Sequence, residues 1–137
     1  MKKYNLELDK LDSLAKEIRK EFSNGVVILQ GDLAAGKTTF VKAMAKELGY
    51  FEDVTSPTFS LQQRYGDKIF HYDVYNHGVE HFVSMGMLEE LDKEGLHFVE
   101  WGDDKLISIL QNAGMDFMTI EIKKTKNDAR EYTVCIY

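Results

Sequence analysis

Residues 31–38, GDLAAGKT, match the pattern G-x-x-x-x-G-K-[ST], in which a glycine-rich loop binds phosphate. In such a loop, successive backbone N–H groups curl around phosphate oxygens at the start of a helix, whose dipole favours an anion. Gly31 and Gly36 allow backbone angles and a close approach that a Cβ would obstruct. Because a buried-type apolar run precedes the loop and an amphipathic segment follows it, the pattern predicts a site for a nucleoside triphosphate.

Three side chains at the end of this loop carry the groups that such a ligand needs. Lys37 supplies a mobile positive charge to the β- and γ-phosphates, and Thr38 offers a hydroxyl to Mg²⁺. Thr39, one residue on, can bond an α-phosphate oxygen. The alternative is a glycine turn followed by a solvated lysine and a helix-capping threonine. The order of strand, loop and helix favours the nucleotide site.

A Mg²⁺ site also needs an acidic residue at the carboxyl end of a strand beside the loop. Two strand-like segments end in this way, one at Asp73 and one at Glu100. The alternative for each carboxylate is a solvated acid at a strand end. The sequence therefore predicts that at least one of the two serves the metal and leaves open which.

The four histidines lack the spacing of a metal site. His71 and His97 precede the two acids, but no cysteine or second histidine supplies a partner at ligand spacing. His77 and His81 are four residues apart, yet the pattern H-E-x-x-H is absent. We expect all four to be structural or surface residues.

Two further features allow two interpretations each. Residues 55–59, TSPTF, place three hydroxyls around Pro57, the only proline. These hydroxyls could sense a γ-phosphate as switch loops do, or the segment could be a proline turn that enters a strand. Trp101 directly follows Glu100 and could stack on a base or a partner, although core packing is the commoner fate of a lone tryptophan.

The elements that must position these residues follow from apolar spacing. Residues 26–29, VVIL, form an uninterrupted run that is typical of a strand buried on both faces. Gly66 and Asp67 give a two-residue hairpin signal between two other strands. The strands are expected over residues 4–8, 26–29, 61–65, 68–74, 96–101, 118–122 and 132–136.

Helical spacing of apolar residues predicts the rest. Asp9 is the expected cap of the first helix, and Gly86 is a weak point in the third. The helices are expected over residues 11–22, 40–48, 80–91 and 106–110. The fold class is α/β, with one P-loop NTPase-like three-layer domain over residues 1–137 and a mixed central sheet flanked by helices.

Composition narrows the setting. Of the 137 residues, 44% are hydrophobic and 29% charged, which excludes disorder and fibrous repeats. No apolar run reaches bilayer length, and Cys135 is the only cysteine, so we expect a cytoplasmic protein without a membrane association. The 17 basic and 23 acidic residues give a net charge of −6, which disfavours a cationic groove for DNA or RNA.

Four segments in this order resemble the TsaE family of bacterial ATPases, also called YjeE, of tRNA threonylcarbamoyladenosine modification. They are GDLAAGKTTF at 31–40, TSPTF at 55–59, FHYDVY at 70–75 and VEWGD at 99–103. The phosphate loop is shared by very many families, and the S-P-T-F and E-W elements in this order narrow the resemblance. It covers nearly the whole chain.

The resemblance implies a set of roles. ATP is bound by the loop, and Mg²⁺ by Thr38 and Glu100, while Asp73 is a Walker-B-like acid that hydrolysis needs together with Lys37. The implied partners are the TsaD and TsaB proteins, which carry the threonylcarbamoyl transfer at position 37 of tRNA, so that tRNA is met only indirectly. The implied contacts to ATP are Ala34, Ala35, Gly36, Lys37, Thr38 and Thr39.

Two positions depart from the family pattern. Ala34 stands where the family usually has glycine, and an alanine with positive φ would cost about 1–2 kcal/mol. Asn76 stands where the family usually has an arginine, so any contact assigned to that arginine is in question for this chain.

Other nucleotide-dependent functions are weighed against this one. A GTP switch would need an N-K-x-D motif, and residues 125–128 read TKND instead. A small-molecule kinase brings several arginines over the phosphates, but the chain has only Arg19, Arg64 and Arg130, none in a glycine-flanked lid. The kinase and a nucleotide-binding adaptor without turnover remain the alternatives to a slow ATPase.

Overall fold

The computed structural model describes residues 2–32, 36–54, 62–75, 78–125 and 129–137. The strands in these ranges are β1 (Lys2–Leu6), β2 (Gly25–Gln30), β3 (Gln62–Tyr65), β4 (Ile69–Asp73), β5 (Leu96–Glu100), β6 (Phe117–Lys124) and β7 (Arg130–Ile136). The helices are α1 (Leu11–Glu21), α2 (Lys37–Glu47), α3 (Gly78–Ser84), α4 (Met87–Leu91) and α5 (Asp104–Asn112).

The strands form one mixed sheet in the order β1-β7-β6-β2-β5-β4-β3. Its centre is parallel, because β2 pairs with both β5 and β6, and β5 pairs with β4 in the same sense. Antiparallel pairs add β3 at one edge and β7 and β1 at the other. The expected α/β fold with a mixed sheet is confirmed.

The register of the parallel centre brings the site residues to one edge. Leu29, one residue before the end of β2, pairs with Glu100, and Glu100 pairs on its other side with Asp73. Since the carboxyl ends of parallel strands meet at the same edge, the two acids lie beside the loop that leaves β2.

Two apolar cores cover the two faces of the sheet. The first packs α1 and α2 against Val27 and Leu29, and the second packs α3, α4 and α5 against Val26 and Ile28. Alternate residues of β2 therefore point to opposite cores and all four are fully buried, which explains the uninterrupted aliphatic run. No helix within the described ranges has the length and apolar character that a bilayer crossing requires.

The start of the chain differs from the sequence prediction. β1 ends at Leu6, and a short 3₁₀ turn, Leu8–Lys10, replaces both the expected end of the strand and the cap at Asp9. Lys10 is the N-cap residue of α1 and makes no side-chain cap hydrogen bond. The backbone N–H of Lys10 donates to Glu7 O at 2.9 Å, so the chain turns before Asp9 could stand at the helix start.

Two other element boundaries also differ. The expected helix over 80–91 is two helices, α3 and α4, interrupted at Gly86, the residue with the weakest helix propensity in the segment. The hairpin between β3 and β4 pairs Tyr65 with Ile69, so its turn holds three residues rather than two. Neither change moves the carboxyl ends of β4 and β5.

Candidate functional site

The end of the phosphate-binding loop has the backbone that the motif predicts. Gly36 has a φ of 111°, in the left-handed region that L side chains rarely adopt, and it is the N-cap residue of α2. Its carbonyl accepts a hydrogen bond from Phe40 N–H at 2.9 Å, which begins the helix. Ala34 and Ala35, the first two predicted ATP contacts, lie outside the described residues.

Lys37 is buried and held against the loop. Its Nζ donates to the carbonyl oxygens of Gly31 at 2.7 Å and Asp32 at 2.9 Å, and it lies 3.7 Å from the ring centroid of Trp101. Burial lowers the pKa of Lys37, while the carboxylates of Glu100, Asp73 and Asp32 act in the opposite direction. An ammonium group with three donors can exchange backbone carbonyls for phosphate oxygens.

The next two residues turn their hydroxyls to different surroundings. Thr38 Oγ1 donates to Glu100 Oε2 at 2.8 Å, and Glu100 is only 3% exposed. A hydroxyl that gives its proton to a carboxylate keeps its lone pairs for a cation. Thr39 is exposed in the first turn of α2, where a ligand on the loop can reach it.

The second candidate acid lies beside the first. Asp73 pairs with Glu100 across β4 and β5, and its Oδ1 accepts the backbone N–H of Tyr75 at 2.8 Å. The negative charge of Asp73 also acts to raise the pKa of Lys37. The two strand-end acids that the sequence offered as alternatives thus share one site, in which Glu100 is hydrogen-bonded to Thr38.

These groups suit a magnesium ion that arrives with a nucleotide. Among the residues that the structure describes, no group of three or more His, Cys, Asp or Glu side chains could enclose a metal. Mg²⁺ keeps several waters and is usually bound by one or two protein oxygens together with substrate phosphates. The hydroxyl of Thr38 and the carboxylate of Glu100 fit that mode.

A tight turn after β5 fixes the far side of the site. Trp101 has a φ of 68°, and its N–H donates to Leu29 O at 3.0 Å. A Cβ on Gly102 would stand 2.5 Å from Cγ2 of Ile28, so any larger residue would require the buried Ile28 to move. The ring of Tyr75 lies 4.6 Å from that of Trp101, centroid to centroid. Trp101 is half-buried, and it covers Lys37 as well as packing on the second core.

His71 is a site residue that the sequence prediction did not identify. It is fully buried, and its Nε2 lies 2.5 Å from Glu100 Oε2. Its Nδ1 lies 2.9 Å from the hydroxyl of Tyr65 on β3. One signal was available: His71 and Asp73 alternate on β4, so both point to the face of the sheet on which α2 begins.

Arg130 lies on the other flank of the loop. Its Nε is 4.0 Å from the point where a Cβ of Gly36 would stand. As the first residue of β7, it pairs with Lys124 at the end of β6 and therefore lies at the same edge of the sheet as the loop. No local sequence pattern links Arg130 to residues 31–38, because the contact depends on the strand order.

A cleft of about 930 Å³ opens beside the loop and the start of α5. Its walls include Gly31 and Asp32 from the loop, Trp101, and Glu121 and Lys123 from β6. The segment 55–59 and Asn76, which the sequence analysis singled out, lie outside the described residues.

Comparisons with known proteins point to one family. The family model described as "Threonylcarbamoyl adenosine biosynthesis protein TsaE" matches residues 6–132. Two relatives carry the name tRNA threonylcarbamoyladenosine biosynthesis protein TsaE. The Treponema pallidum (strain Nichols) protein is 38% identical over 112 residues, 80% of this chain and 80% of that protein. The Bacillus subtilis (strain 168) protein is 37% identical over 111 residues, 79% of this chain and 67% of that protein.

A solved structure is similar over almost the whole chain. The crystal structure of Bacillus subtilis YdiB superposes with a TM-score of 0.70 and 31% sequence identity. The match covers 97% of this chain and 83% of that one.

Proposed function

Because the chain belongs to the TsaE family, with a role in the threonylcarbamoyladenosine modification of tRNA, we propose that it is a Mg²⁺-dependent ATPase of that modification. The observation that carries the ATPase is the meeting of Lys37, Thr38 and Glu100 at the end of β2 and β5. We propose residues 1–137 as one ATPase domain, which the single sheet of seven described strands supports.

The binding step relies on residues of the loop and the start of α2. Lys37 releases the carbonyls of Gly31 and Asp32 and donates to the β- and γ-phosphates of ATP. Thr39 is exposed where it can donate to the α-phosphate. Ala34, Ala35 and Gly36 complete the proposed set of ATP contacts through the backbone.

The two acids take different parts. Glu100 holds its carboxylate against Thr38, and this pair would hold Mg²⁺, which when bound neutralises charge on the β- and γ-phosphates. Asp73, on the neighbouring strand, is the proposed acid of hydrolysis and lies at the same edge of the sheet. It would orient the attacking water.

The partners follow from the family role. We propose that the chain acts with the TsaD and TsaB proteins, in the cytoplasm, and meets tRNA only through them. A net charge of −6 supports this, since direct binding of a polyanion rests on clustered Lys and Arg. Nanomolar binding of bulk tRNA by the isolated chain at physiological salt would contradict the indirect role.

Turnover by the isolated protein should be slow. All three arginines lie in the described ranges. Arg19 bonds Glu47, and Arg64 lies over the ring of Phe70. Arg130 flanks the loop on the side away from Glu100. An arginine on the transferring phosphate can contribute about 10³–10⁵ in rate. We expect well under one turnover per second alone and stimulation by TsaB and TsaD; several per second without them would contradict this.

The central experiment measures the modified nucleoside in cells. A strain that carries Lys37→Ala should lack threonylcarbamoyladenosine in total tRNA by mass spectrometry, because the phosphates lose their counter-charge. Lys42→Ala is the matched control, since Lys42 is an exposed lysine on the same helix. Wild-type levels of the nucleoside in the Lys37→Ala strain would overturn the proposed function.

The two alternative functions give different results in one assay. Phosphate release is measured with and without candidate small-molecule acceptors. A kinase would release little phosphate and label an acceptor, and an adaptor would bind ATP without turnover. Slow release that does not depend on an acceptor supports the ATPase.

A further inference from the structure

The carboxylate of Glu100 is held from two sides. Its Oε2 accepts the hydroxyl of Thr38 at 2.8 Å and faces Nε2 of His71 at 2.5 Å. A carboxylate only accepts hydrogen bonds, so Nε2 of His71 carries the proton in this contact. Thr38 and Glu100 are the groups that would hold Mg²⁺, whereas His71 lies behind them, fully buried.

The imidazole is itself fixed from behind. The hydroxyl of Tyr65 lies 2.9 Å from Nδ1 of His71 and 2.8 Å from Oε1 of Gln63. Tyr65 and Gln63 are on β3 and His71 is on β4, so the chain of contacts crosses the hairpin and ends at the site. Both nitrogens of His71 have partners, which fixes the plane of the ring.

We propose that His71 is a positioning residue, which holds the carboxylate of Glu100 in the orientation that Mg²⁺–ATP requires. The inference rests on the proposed ATPase function. A glutamate side chain has several rotatable bonds, and ordering it costs conformational entropy. A donor on one carboxylate oxygen reduces that cost before the metal arrives. The role concerns the metal-dependent part of ATP binding and not the loop contacts to the phosphates.

Two amide substitutions separate positioning from support of the fold. The amide of His71→Gln can place an N–H near the position of Nε2, whereas that of His71→Asn reaches only the position of Nδ1. The matched control is His97→Asn, at a second fully buried histidine, whose ring nitrogens contact Tyr72 and the carbonyl of Lys93. Calorimetry gives ATP affinity over a range of Mg²⁺ concentrations and again in EDTA.

The expected result is a specific shift in metal dependence. For His71→Asn, the Mg²⁺ concentration that gives half of the maximal gain in ATP affinity should rise about tenfold, as expected for loss of a hydrogen bond to a charged group. His71→Gln should stay within about threefold of wild type. ATP affinity in EDTA should change less than about twofold in both variants, and His97→Asn should leave the metal dependence unchanged.

Other outcomes would overturn the inference. It fails if His71→Asn keeps the wild-type metal dependence, or if His71→Asn and His97→Asn shift it equally. If the asparagine variant does not fold, Tyr65→Phe tests the same positioning role through the contact at Nδ1, because it removes the hydroxyl that fixes the ring of His71. An unchanged Mg²⁺ midpoint in Tyr65→Phe would then refute the role. Absence of ATP binding by the wild-type protein would refute the proposed function instead.

Discussion

Two buried histidine–tyrosine pairs lie on opposite faces of the sheet, one joining β3 to β4 and the other joining β4 to β5. On the face of the first core, His71 contacts the hydroxyl of Tyr65. On the face of the second core, Nδ1 of His97 lies 2.8 Å from the hydroxyl of Tyr72. Both histidines are completely buried, and the sequence predicted that each is a structural or surface residue.

The two pairs differ in the group that the second ring nitrogen of the histidine contacts. For His97, Nε2 donates to the carbonyl of Lys93 at 2.8 Å, a backbone group that needs no other partner. For His71, Nε2 faces the carboxylate of Glu100, which also accepts from Thr38 and has further lone pairs. The same residue types thus serve the fold when their contacts end at the backbone and the site when they end at a carboxylate.

The largest expected effect is a loss of ATP affinity when Lys37, which interacts electrostatically with Glu100, is replaced. Lys37→Ala should weaken binding of ATP with Mg²⁺ by about 100-fold or more, because two charge-assisted contacts to phosphate are lost. Calorimetry measures this change in ATP affinity, with Lys42→Ala as the control. Affinity within threefold of wild type would show that the loop assignment is wrong.

The two acids should separate binding from turnover. Glu100→Gln should weaken Mg²⁺-dependent ATP binding by about tenfold, since a neutral amide attracts the metal less than a carboxylate does. Asp73→Asn should keep the affinity and lower the rate of phosphate release. The reverse pattern would mean that the roles of β4 and β5 are exchanged.

Substitutions in the pair of His97 and Tyr72 should change the free energy of unfolding without changing ATP affinity. Tyr72→Phe removes the hydroxyl that contacts His97 and accepts from Gln62 at 3.1 Å. A buried group left without its partner costs about 1–3 kcal/mol in the free energy of unfolding, which urea denaturation measures. Weaker ATP binding in this variant would contradict the separation of the two faces.

The smallest expected effect is the change of the free energy of unfolding with pH. Burial lowers the pKa of His97 below its ordinary value of 6.5. Below that pH the unfolded chain binds a proton at His97 that the folded chain does not, so the free energy of unfolding should fall as the pH decreases through about 6.5. The contribution of one such group is at most about 1.4 kcal/mol per pH unit.

A matched variant isolates this contribution. His97→Gln keeps an amide in place of the imidazole but has no group that titrates in this range. Urea denaturation between pH 7.5 and 5.5 should give a shallower decrease for the variant than for the wild type. Equal slopes would show that His97 does not contribute to the pH dependence.

Much of the fold follows from local pattern. The aliphatic run of 26–29 and the alternation in β6 and β7 predict strands correctly, because the buried positions of a strand are occupied by apolar residues. The error at Asp9 arises because a 3₁₀ turn and a helix cap use similar residues. The break between α3 and α4 falls at Gly86, the weak point that the sequence indicates.

The site was only partly readable from the sequence. The loop motif identifies Lys37 and Thr38, and strand-end acids identify Asp73 and Glu100 as candidates. The contact between His71 and Glu100 could not be predicted, because it requires that β4 lies beside β5 in a fixed register. Arg130 comes near the loop through strand order alone, and the roles of all the predicted site residues, Ala34 and Ala35 among them, stay predictions.

The turn after β5 has a consequence for how this chain can vary in evolution. Within four residues it contains Glu100, the proposed acid of the metal site, a left-handed Trp101, a Gly102 whose Cβ would clash with Ile28, and Asp103, whose Oδ1 accepts Leu106 N–H to cap α5. Insertion of one residue here would disrupt either the hydrogen bond from Trp101 N–H to Leu29 O or the cap that Asp103 provides to α5. Loop lengthening should therefore be selected against between 100 and 103 and tolerated where turns face solvent, as at Gly66 and Asp67.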